Sequence, residues 1–203
     1  MQACRCILLD LGQVLVGFDF RRFGEWIMAL TGLNSEQLRS AMTANGLAHK
    51  YETGLLEDTD FHREVCRRVK TDIPWHQFID AWNDIFFPTP LISEDLVVTL
   101  SRRCTLWVVS NTNRIHFDFI QTRYSHLLRH FAGFILSHEV GLAKPDPAIY
   151  RLALEKAGVE AREALFVDDQ PANVEAARGV GIDSFQFLNP DQFVHELYSR
   201  QLL

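Results

Sequence analysis

Short apolar runs that alternate with helical patterns restrict this chain to a narrow set of folds. Four runs are predicted as core strands, and a shorter fifth is plausible: residues 6–10, 105–110, 164–167, 182–187 and, as the fifth, 134–137. Apolar runs of this length are typical of strands that are buried on both faces. After residue 93 strands and helices alternate, which predicts an α/β fold with a parallel sheet covered by helices on both sides.

Helix-start and helix-stop signals support this alternation. Ser93, Asn113 and Asp146 stand where N-caps are expected, since their side chains can accept hydrogen bonds from the first free N–H groups of a helix. Gly158 and Gly179 stand where helix C-termini need a left-handed residue. These signals predict where the helices between the strands begin and end.

Residues 17–87 interrupt the alternation. They contain no convincing strand but four amphipathic stretches that predict helices: 20–31, 35–43, about 58–70, and 75–86. An all-helical block placed directly after the first strand is best interpreted as an insertion. We therefore expect a core made of residues 1–16 and 88–203 and a helical cap made of residues 17–87.

Charge, cysteine content and hydropathy exclude several classes of protein. The 203 residues carry a net charge of −6 with lysine and arginine spread thinly, so no nucleic-acid partner is expected. Cys4, Cys6, Cys66 and Cys104 lack CxxC spacing and are interpreted as reduced core residues. No apolar run approaches the roughly 18 residues of a membrane span. We expect a cytoplasmic protein without a membrane partner.

Polar side chains end three of the predicted strands. Asp10 ends the first, Ser110 the second, and Asp168 with Asp169 follows the third. Ligands of open α/β sheets gather at the carboxyl ends of the strands, so these groups should converge with Lys144, which lies in a loop before a helix. A carboxylate nucleophile, a hydroxyl and a lysine suit phosphoryl transfer. Converging acids repel one another without a cation, which predicts Mg²⁺.

Four motifs in this order resemble the haloacid dehalogenase-like superfamily. They are Leu8-Leu9-Asp10-Leu11-Gly12, Val108-Val109-Ser110-Asn111, Lys144-Pro145-Asp146-Pro147, and Phe166-Val167-Asp168-Asp169 with Asn173. Each motif alone is weak, but their order and spacing together are highly specific, and the resemblance covers nearly the whole chain. It implies a Rossmann-like core with a helical cap inserted after the first motif.

The resemblance also implies a role for each site residue. Asp10 would accept the phosphoryl group and form an aspartyl-phosphate intermediate. The Asp10 carboxylate, the Gly12 carbonyl and the acids Asp168 and Asp169 would bind Mg²⁺, with Asp169 favoured as the direct ligand and Asp168 as a second ligand or a supporting group. The substrate-binding residues implied in this way are Leu11, Gly12, Ser110, Asn111 and Lys144.

Gly12 departs from the family pattern. Most phosphatases of the family carry Asp there as general acid and base, whereas Gly keeps the carbonyl but has no proton to give. General acid–base catalysis typically contributes about 10²–10⁴-fold, so we expect leaving groups of low pKa, as in anomeric sugar phosphates. The Asp-Leu-Gly form is similar to a bacterial subgroup that includes glucose-1-phosphate phosphatases. Asp19 is a candidate substitute acid, but its favoured interpretation is an N-cap.

The sequence therefore predicts Mg²⁺-dependent hydrolysis of a small phosphorylated metabolite, a sugar phosphate with a good leaving group. One alternative is a metal-independent dehalogenase in which Asp10 attacks carbon. The other is a catalytically weakened member that binds a phosphometabolite or a protein. The paired acids at 168 and 169 disfavour the first, and the retained site residues disfavour complete loss of function.

We also predict the environment of five further side chains. His116 follows Ser110 closely in sequence and is interpreted as a surface histidine with satisfied hydrogen bonds. Phe18, Phe20, Phe23 and Tyr51 are the aromatic residues of the helical block that are expected to line an active-site entrance.

Overall fold

Seven strands form two sheets in residues 4–203, the part of the chain described by this computed structural model. They are β1 (Cys6–Leu9), β2 (Val16–Phe18), β3 (Phe86–Pro90), β4 (Thr105–Ser110), β5 (Gly133–Leu136), β6 (Ala164–Asp168) and β7 (Asp183–Gln186). Five of them form a parallel sheet in the order β5-β4-β1-β6-β7, and β2 pairs with β3 in an antiparallel ribbon.

Twelve helices accompany these strands in the described residues. They are α1 (Phe20–Thr31), α2 (Ser35–Thr43), α3 (Leu47–Glu52), α4 (Asp58–Val69), α5 (Trp75–Asn83), α6 (Glu94–Ser101), α7 (Arg114–Arg123), α8 (Ser125–Leu128), α9 (Ser137–Val140), α10 (Pro147–Ala157), α11 (Pro171–Gly179) and α12 (Pro190–Ser199). Parallel strands with flanking helices confirm the predicted α/β fold. None of these helices is long and apolar enough to cross a membrane.

The register of the parallel sheet aligns the ends of its central strands. Leu9, the last residue of β1, pairs with Val108 of β4 on one side and with Val167 of β6 on the other. The residues that follow therefore emerge at one edge of the sheet, between the ends of two neighbouring strands. This edge is where an open α/β sheet offers space for a ligand.

Alternate residues of β1 are buried in two separate hydrophobic clusters. Ile7 and Leu9 belong to a large cluster that also contains Phe23, Phe61 and other residues of the helical block. Their neighbours on the other face lie in a smaller cluster with residues of α10 and α11. A strand that is buried on both faces has no room for polar alternation, which explains its continuous apolar sequence.

The helical block contains one helix that the sequence did not predict. α1, α2 and α4 begin where predicted, but α5 ends at Asn83 rather than at 86 because the chain then enters β3. α3, of six residues, lies between α2 and α4 and was missed. A helix this short has little periodicity, and it is preceded by Gly46 in a left-handed conformation.

The expectation of no strand between residues 17 and 87 is wrong. β2 extends to Phe18, and β3 begins at Phe86 and contains Pro88 and Pro90. Proline cannot donate a ladder hydrogen bond, so a strand with two prolines reads as a loop. A two-stranded ribbon, in which each strand has only one partner, tolerates this loss.

Helix C-termini agree with the sequence at one predicted glycine and differ at the other. Gly158 caps α10 with a φ of 65°, as predicted. Gly179 was expected to be left-handed, but it lies inside α11, and the positive φ of 93° belongs to Gly181. Val180 continues the right-handed turn by one residue, which moves the reversal of the chain downstream.

The cysteines are free thiols with different degrees of burial. Cys6 and Cys104 are buried, whereas Cys4 and Cys66 are half-buried. The interpretation as core residues is therefore correct for the first two only.

Candidate active site

A buried cluster of three charged side chains lies at the carboxyl edge of the sheet. Lys144 Nζ is 2.8 Å from Oδ1 of Asp10 and 2.6 Å from Oδ2 of Asp168. The backbone N–H of Leu11 also donates to Oδ1 of Asp10 at 2.7 Å. Oδ2 of Asp10 receives no hydrogen bond from the described residues. It is therefore the carboxylate oxygen that remains free to react.

The electrostatics of this cluster favour binding of a further cation. Burial raises the pKa of Asp10 to about 7, Lys144 opposes the shift, and Asp168 adds to it. Burial lowers the pKa of Lys144, but the two carboxylates outweigh it and raise the pKa above its ordinary value. One buried ammonium thus faces two buried carboxylates, and a cation would offset the negative charge that remains.

Three carboxylates at this edge fit a magnesium ion. Oxygen atoms of Asp10, Asp168 and Asp169 all lie within 4.8 Å of one another. Carboxylate oxygen is the ligand type that Mg²⁺ prefers in proteins, and a few such ligands are enough, because this ion usually keeps several water molecules. The donor set therefore fits the predicted metal.

The two adjacent acids differ in how they are held. Oδ2 of Asp168 bonds to Lys144, and Oδ1 accepts hydrogen bonds from the N–H of Gln170 at 2.8 Å and from Nδ2 of Asn173 at 2.9 Å. Asp169 is half-buried; its Oδ2 accepts from the Gln170 side chain, and its backbone carbonyl accepts from the Gln186 side chain at 2.8 Å. Its Oδ1 thus remains available, whereas both oxygens of Asp168 already have protein partners.

Ser110 is the last residue of β4 and Asn111 follows it; the two differ in their freedom to bind a ligand. Ser110 is buried as a residue, and its hydroxyl makes no hydrogen bond to the described residues. The Asn111 side chain donates to the carbonyl of Lys144 and accepts from its N–H, both at 2.8 Å. This pair of hydrogen bonds fixes the loop that carries the lysine, and it leaves the backbone of Asn111 for ligand binding.

Asp19 is engaged as the N-cap of α1. Its Oδ1 accepts from the Arg21 N–H at 2.9 Å, and the Arg21 guanidinium also bonds to both carboxylate oxygens. These hydrogen bonds lower the pKa of Asp19. The N-cap prediction is confirmed, and a carboxylate held in this way is a poor proton donor.

His116 is buried, so its interpretation as a surface histidine is wrong. Its ring stacks on Trp82 with centroids 4.7 Å apart, and both ring nitrogens have partners, Asn113 Nδ2 and the Trp82 carbonyl. Burial lowers the pKa of His116 to about 3, so the ring is neutral. A polar histidine is expected at the surface, but the His116 ring packs against the helical block and is buried there.

Two neighbouring cavities lie beside the ends of β1 and β4. The smaller, of about 100 Å³, is lined by Gly12 and Ser110 among others. The larger, of about 760 Å³, lies among α1, α2 and α3 and has mainly apolar walls. Both are lined by Phe20, Glu52 and Asn113, so the two cavities are neighbours, one at the sheet edge and one in the helical block.

The predicted aromatic residues line these cavities, and one acidic residue joins them that the sequence did not predict. Phe18 lines the smaller cavity, and Phe23 and Tyr51 line the larger. Glu52 lines both, and it is the last residue of α3. It was missed because α3 itself was missed. The sequence contained one signal for it: Glu52 directly follows Tyr51, which was predicted to line the active-site entrance.

A comparison with known protein families shows the family to which this chain belongs. The description "haloacid dehalogenase-like hydrolase" fits residues 58–181 of this chain, more than half its length. The chain belongs to the haloacid dehalogenase-like hydrolase family. The resemblance drawn from the four motifs is thus confirmed, and the protein is an enzyme of this hydrolase family.

Three known proteins show how far the similarity extends. D-ribitol-5-phosphate phosphatase of Bacteroides thetaiotaomicron is 22% identical over 94% of this chain and 95% of that protein. A family enzyme of the same organism, crystallised with magnesium and inorganic phosphate, has a TM-score of 0.83 at 24% identity, covering 96% of this chain and 99% of that one. A predicted family hydrolase from Porphyromonas gingivalis has a TM-score of 0.82 at 25% identity, covering 96% of each chain.

Phe18 fills the space next to Gly12, the residue at which the sequence departs from the pattern that the resemblance implies. A Cβ added to Gly12 would lie 2.7 Å from Cε1 of Phe18. The Phe18 ring is held in turn by edge contacts with Phe20 and Phe86, at centroid distances of 5.1 and 6.1 Å. A side chain at residue 12 therefore requires the ring to move.

We expect Gly12→Asp to lower the free energy of unfolding by about 1–3 kcal/mol, because overpacking forces neighbouring side chains to shift. Truncation by Phe18→Ala opens the space, so the same Gly12→Asp change should cost less in that background. Urea unfolding of the two single variants and the double variant measures the difference. An equal cost in both backgrounds would show that Phe18 does not restrict residue 12.

Proposed function

We propose that this chain is a Mg²⁺-dependent phosphomonoester hydrolase that acts through an aspartyl-phosphate on Asp10. The observation that carries the proposal is the buried carboxylate of Asp10, with Oδ1 held by Lys144 and Leu11 and Oδ2 free. A carboxylate held in one orientation can attack phosphorus and split a difficult displacement into two easier steps. Lys144 orients the nucleophile, and in this proposal its ammonium also contacts the phosphoryl group.

In this proposal Asp10, the Gly12 carbonyl and Asp169 hold the Mg²⁺, and Asp168 supports them by positioning Lys144. When bound, the ion offsets the negative charge of the phosphoryl oxygens. The clustering of three carboxylates supports this arrangement. A metal-independent dehalogenase gains nothing from clustered acids, so the cluster also disfavours that alternative.

The phosphate is proposed to bind among Lys144, the free hydroxyl of Ser110 and backbone N–H groups after the first two strands of the site. Gly12 and Asn111 contribute those backbone groups, and Leu11, whose N–H already donates to Oδ1 of Asp10, lines the cavity beside them. Charge-assisted hydrogen bonds from an ammonium and from N–H donors are the strong contacts that phosphate oxygens require. The buried position of Ser110 supports its place in this set.

The substrate is proposed to be a small phosphorylated metabolite of the sugar-phosphate class, encountered in the cytoplasm. The name of the D-ribitol-5-phosphate phosphatase, which matches nearly the whole chain, supports this class. The cavity of about 760 Å³ leaves room for the rest of such a molecule beyond Phe20 and Asn113.

The chain is proposed to consist of two domains. Residues 1–16 and 88–203 form the core, and residues 17–87 form the cap. Both boundaries fall within the β2–β3 ribbon. The chain thus passes twice through one ribbon between the sheet and the helical block, which supports a boundary there. The cap supplies the walls of the larger cavity through α1, α2 and α3.

The direct test uses p-nitrophenyl phosphate, whose leaving group needs no general acid. We expect p-nitrophenolate release with Mg²⁺, its loss on addition of EDTA, and its recovery with excess Mg²⁺, followed by absorbance. A panel of phosphoesters that includes hexose 1-phosphates extends the test to metabolites. Failure to release phosphate from any of them would overturn the proposal. Chloride release from 2-chloropropionate without metal would favour the dehalogenase.

A further inference from the structure

The smaller cavity is lined by an acidic residue that the proposed reaction does not yet use. Of the described residues that line this cavity, Glu52 and His116 have side chains that titrate between acidic and neutral pH. His116 is neutral, and both of its nitrogens already have partners. Glu52 is therefore the lining residue with a proton to exchange, and it lies in the cavity that Gly12 also lines.

Hydrogen bonds tie the backbone of Glu52 to the loop after β4. The Ser137 hydroxyl donates to the carbonyl of Glu52, and its oxygen accepts from the N–H of Thr112 at 2.9 Å. Thr112 stands two residues after Ser110, the proposed phosphate ligand. Two hydrogen bonds thus connect the end of α3 to the phosphate-binding segment.

A close backbone approach next to Glu52 strengthens this connection. Gly54 has a φ of 71°, and a Cβ there would lie 2.3 Å from the carbonyl oxygen of His138 in α9. Only glycine fits so close to that backbone, so the end of α3 rests directly on the core. The position of Glu52 relative to the sheet edge is therefore determined by packing as well as by hydrogen bonds.

The chemical state of Glu52 suits proton transfer. Its carboxyl makes no hydrogen bond or salt bridge within residues 4–203. Burial raises the pKa of Glu52, and His49 on the same helix opposes the shift only in part. A carboxyl whose pKa moves toward neutrality can give up a proton in one step and take one in the next.

We propose that Glu52 is the general acid and base of this enzyme, in the role that Gly12 cannot fill. The proposal rests on the proposed phosphatase function. In the first step Oδ2 of Asp10 bonds to phosphorus, the bond from phosphorus to the leaving oxygen breaks, and the Glu52 carboxyl gives its proton to that oxygen. In the second, the Glu52 carboxylate takes a proton from a water whose oxygen attacks phosphorus. The Asp10–phosphorus bond breaks and inorganic phosphate leaves.

This assignment changes the expected range of substrates. Without a proton donor the enzyme would be restricted to leaving groups of low pKa. With Glu52 as donor, esters of ordinary alcohols become substrates, including a primary phosphate of a sugar alcohol. The general acid then comes from the helical block, from a residue that lines the same cavity as Gly12.

The test compares leaving groups in Glu52→Gln, which keeps the size of the side chain and removes the proton. We expect kcat/KM for ribitol 5-phosphate to fall by about 10²–10⁴-fold and that for p-nitrophenyl phosphate by less than about tenfold. Glu57→Gln is the matched control, because Glu57 is exposed, lies five residues away and lines neither cavity. Glu52→Asp should recover part of the lost activity. Unchanged thermal unfolding shows that the variants fold.

Three outcomes would overturn the assignment. Equal losses on the two esters in Glu52→Gln would show a general defect, and no loss on either would show that the group is not used. Wild-type activity on p-nitrophenyl phosphate without activity on any alkyl phosphate would show that no proton donor operates. Each of these leaves the phosphatase function standing. Inactivity of the wild type on every ester, in contrast, overturns the proposed function together with this role.

Discussion

Replacement of Asp10 by Asn is expected to reduce phosphate release by about 10⁴-fold or more, because loss of a covalent nucleophile removes the first step itself. The amide has the size of the carboxyl group, so packing at the end of β1 should be kept. Lys144 remains paired with Asp168 at 2.6 Å. The measurement is kcat on p-nitrophenyl phosphate with saturating Mg²⁺.

The same substitution should alter stability in a direction set by pH. Burial raises the pKa of Asp10 to about 7, so the folded protein holds a proton there that the unfolded chain releases near pH 4. The resulting stabilisation is present at low pH and is lost as pH rises through about 7. Asp10→Asn has no such loss. In EDTA at pH 8 the variant should therefore unfold at a temperature equal to or above that of the wild type.

A matched substitution separates the nucleophile from acids in general. Asp191→Asn changes an exposed acid in the first turn of α12, far along the chain from the site, and should leave kcat unchanged. If Asp10→Asn retained more than about one hundredth of wild-type activity, Asp10 would not be the nucleophile. Reduced stability of this variant in EDTA at pH 8 would contradict the electrostatic argument instead.

Removal of Lys144 should cause the largest loss of stability. Lys144→Met leaves Asp10 and Asp168 facing each other in a buried site without their shared cation. Breaking a buried ion pair by removing one partner typically costs about 3–5 kcal/mol. For a domain of this size the cost corresponds to a fall on the order of 10 °C in the unfolding temperature.

Magnesium should reverse part of this loss in the Lys144→Met variant, because a bound cation supplies positive charge to the same carboxylates and binds only the folded chain. Thermal unfolding with and without Mg²⁺ measures both effects. Lys156→Met is the control, since Lys156 is exposed in the last turn of α10 and should tolerate the change. An unfolding temperature within about 2 °C of the wild type would show that the cluster does not depend on Lys144.

The parts of the fold and site that the sequence predicted are those encoded by local patterns. Each strand of the parallel sheet coincides closely with an apolar run. Polar residues stand at the carboxyl ends of strands whose register aligns these ends: Asp10 directly after β1 and Ser110 as the last residue of β4. The N-cap at Asp19 was visible for the same reason, because a cap depends on a few neighbouring residues. The four motifs then placed Lys144 beside Asp10, a contact across 134 positions that no local pattern contains.

The parts that the sequence did not predict depend on tertiary contacts. α3 is too short for a periodic signal. The need for glycine at residue 54 arises from the close approach of the His138 backbone, which is distant in sequence. His116 is polar, and its burial follows from packing against Trp82. Glu52 could not be associated with Gly12 because no spacing along the chain relates a helix of the inserted block to the first motif. The roles of these residues follow from contacts between the helical block and the core, which only the three-dimensional structure gives.

The most direct test of the central claim, covalent catalysis by Asp10, is to trap the phosphorylated enzyme. The enzyme is mixed with Mg²⁺ and p-nitrophenyl phosphate, quenched in acid within the first turnover, and digested for mass spectrometry. We predict a phosphoryl group on the peptide that contains Asp10, absent when EDTA replaces Mg²⁺ and absent in Asp10→Asn. A phosphoryl group on another residue, or rapid turnover with no phosphorylated peptide at any quench time, would contradict the account.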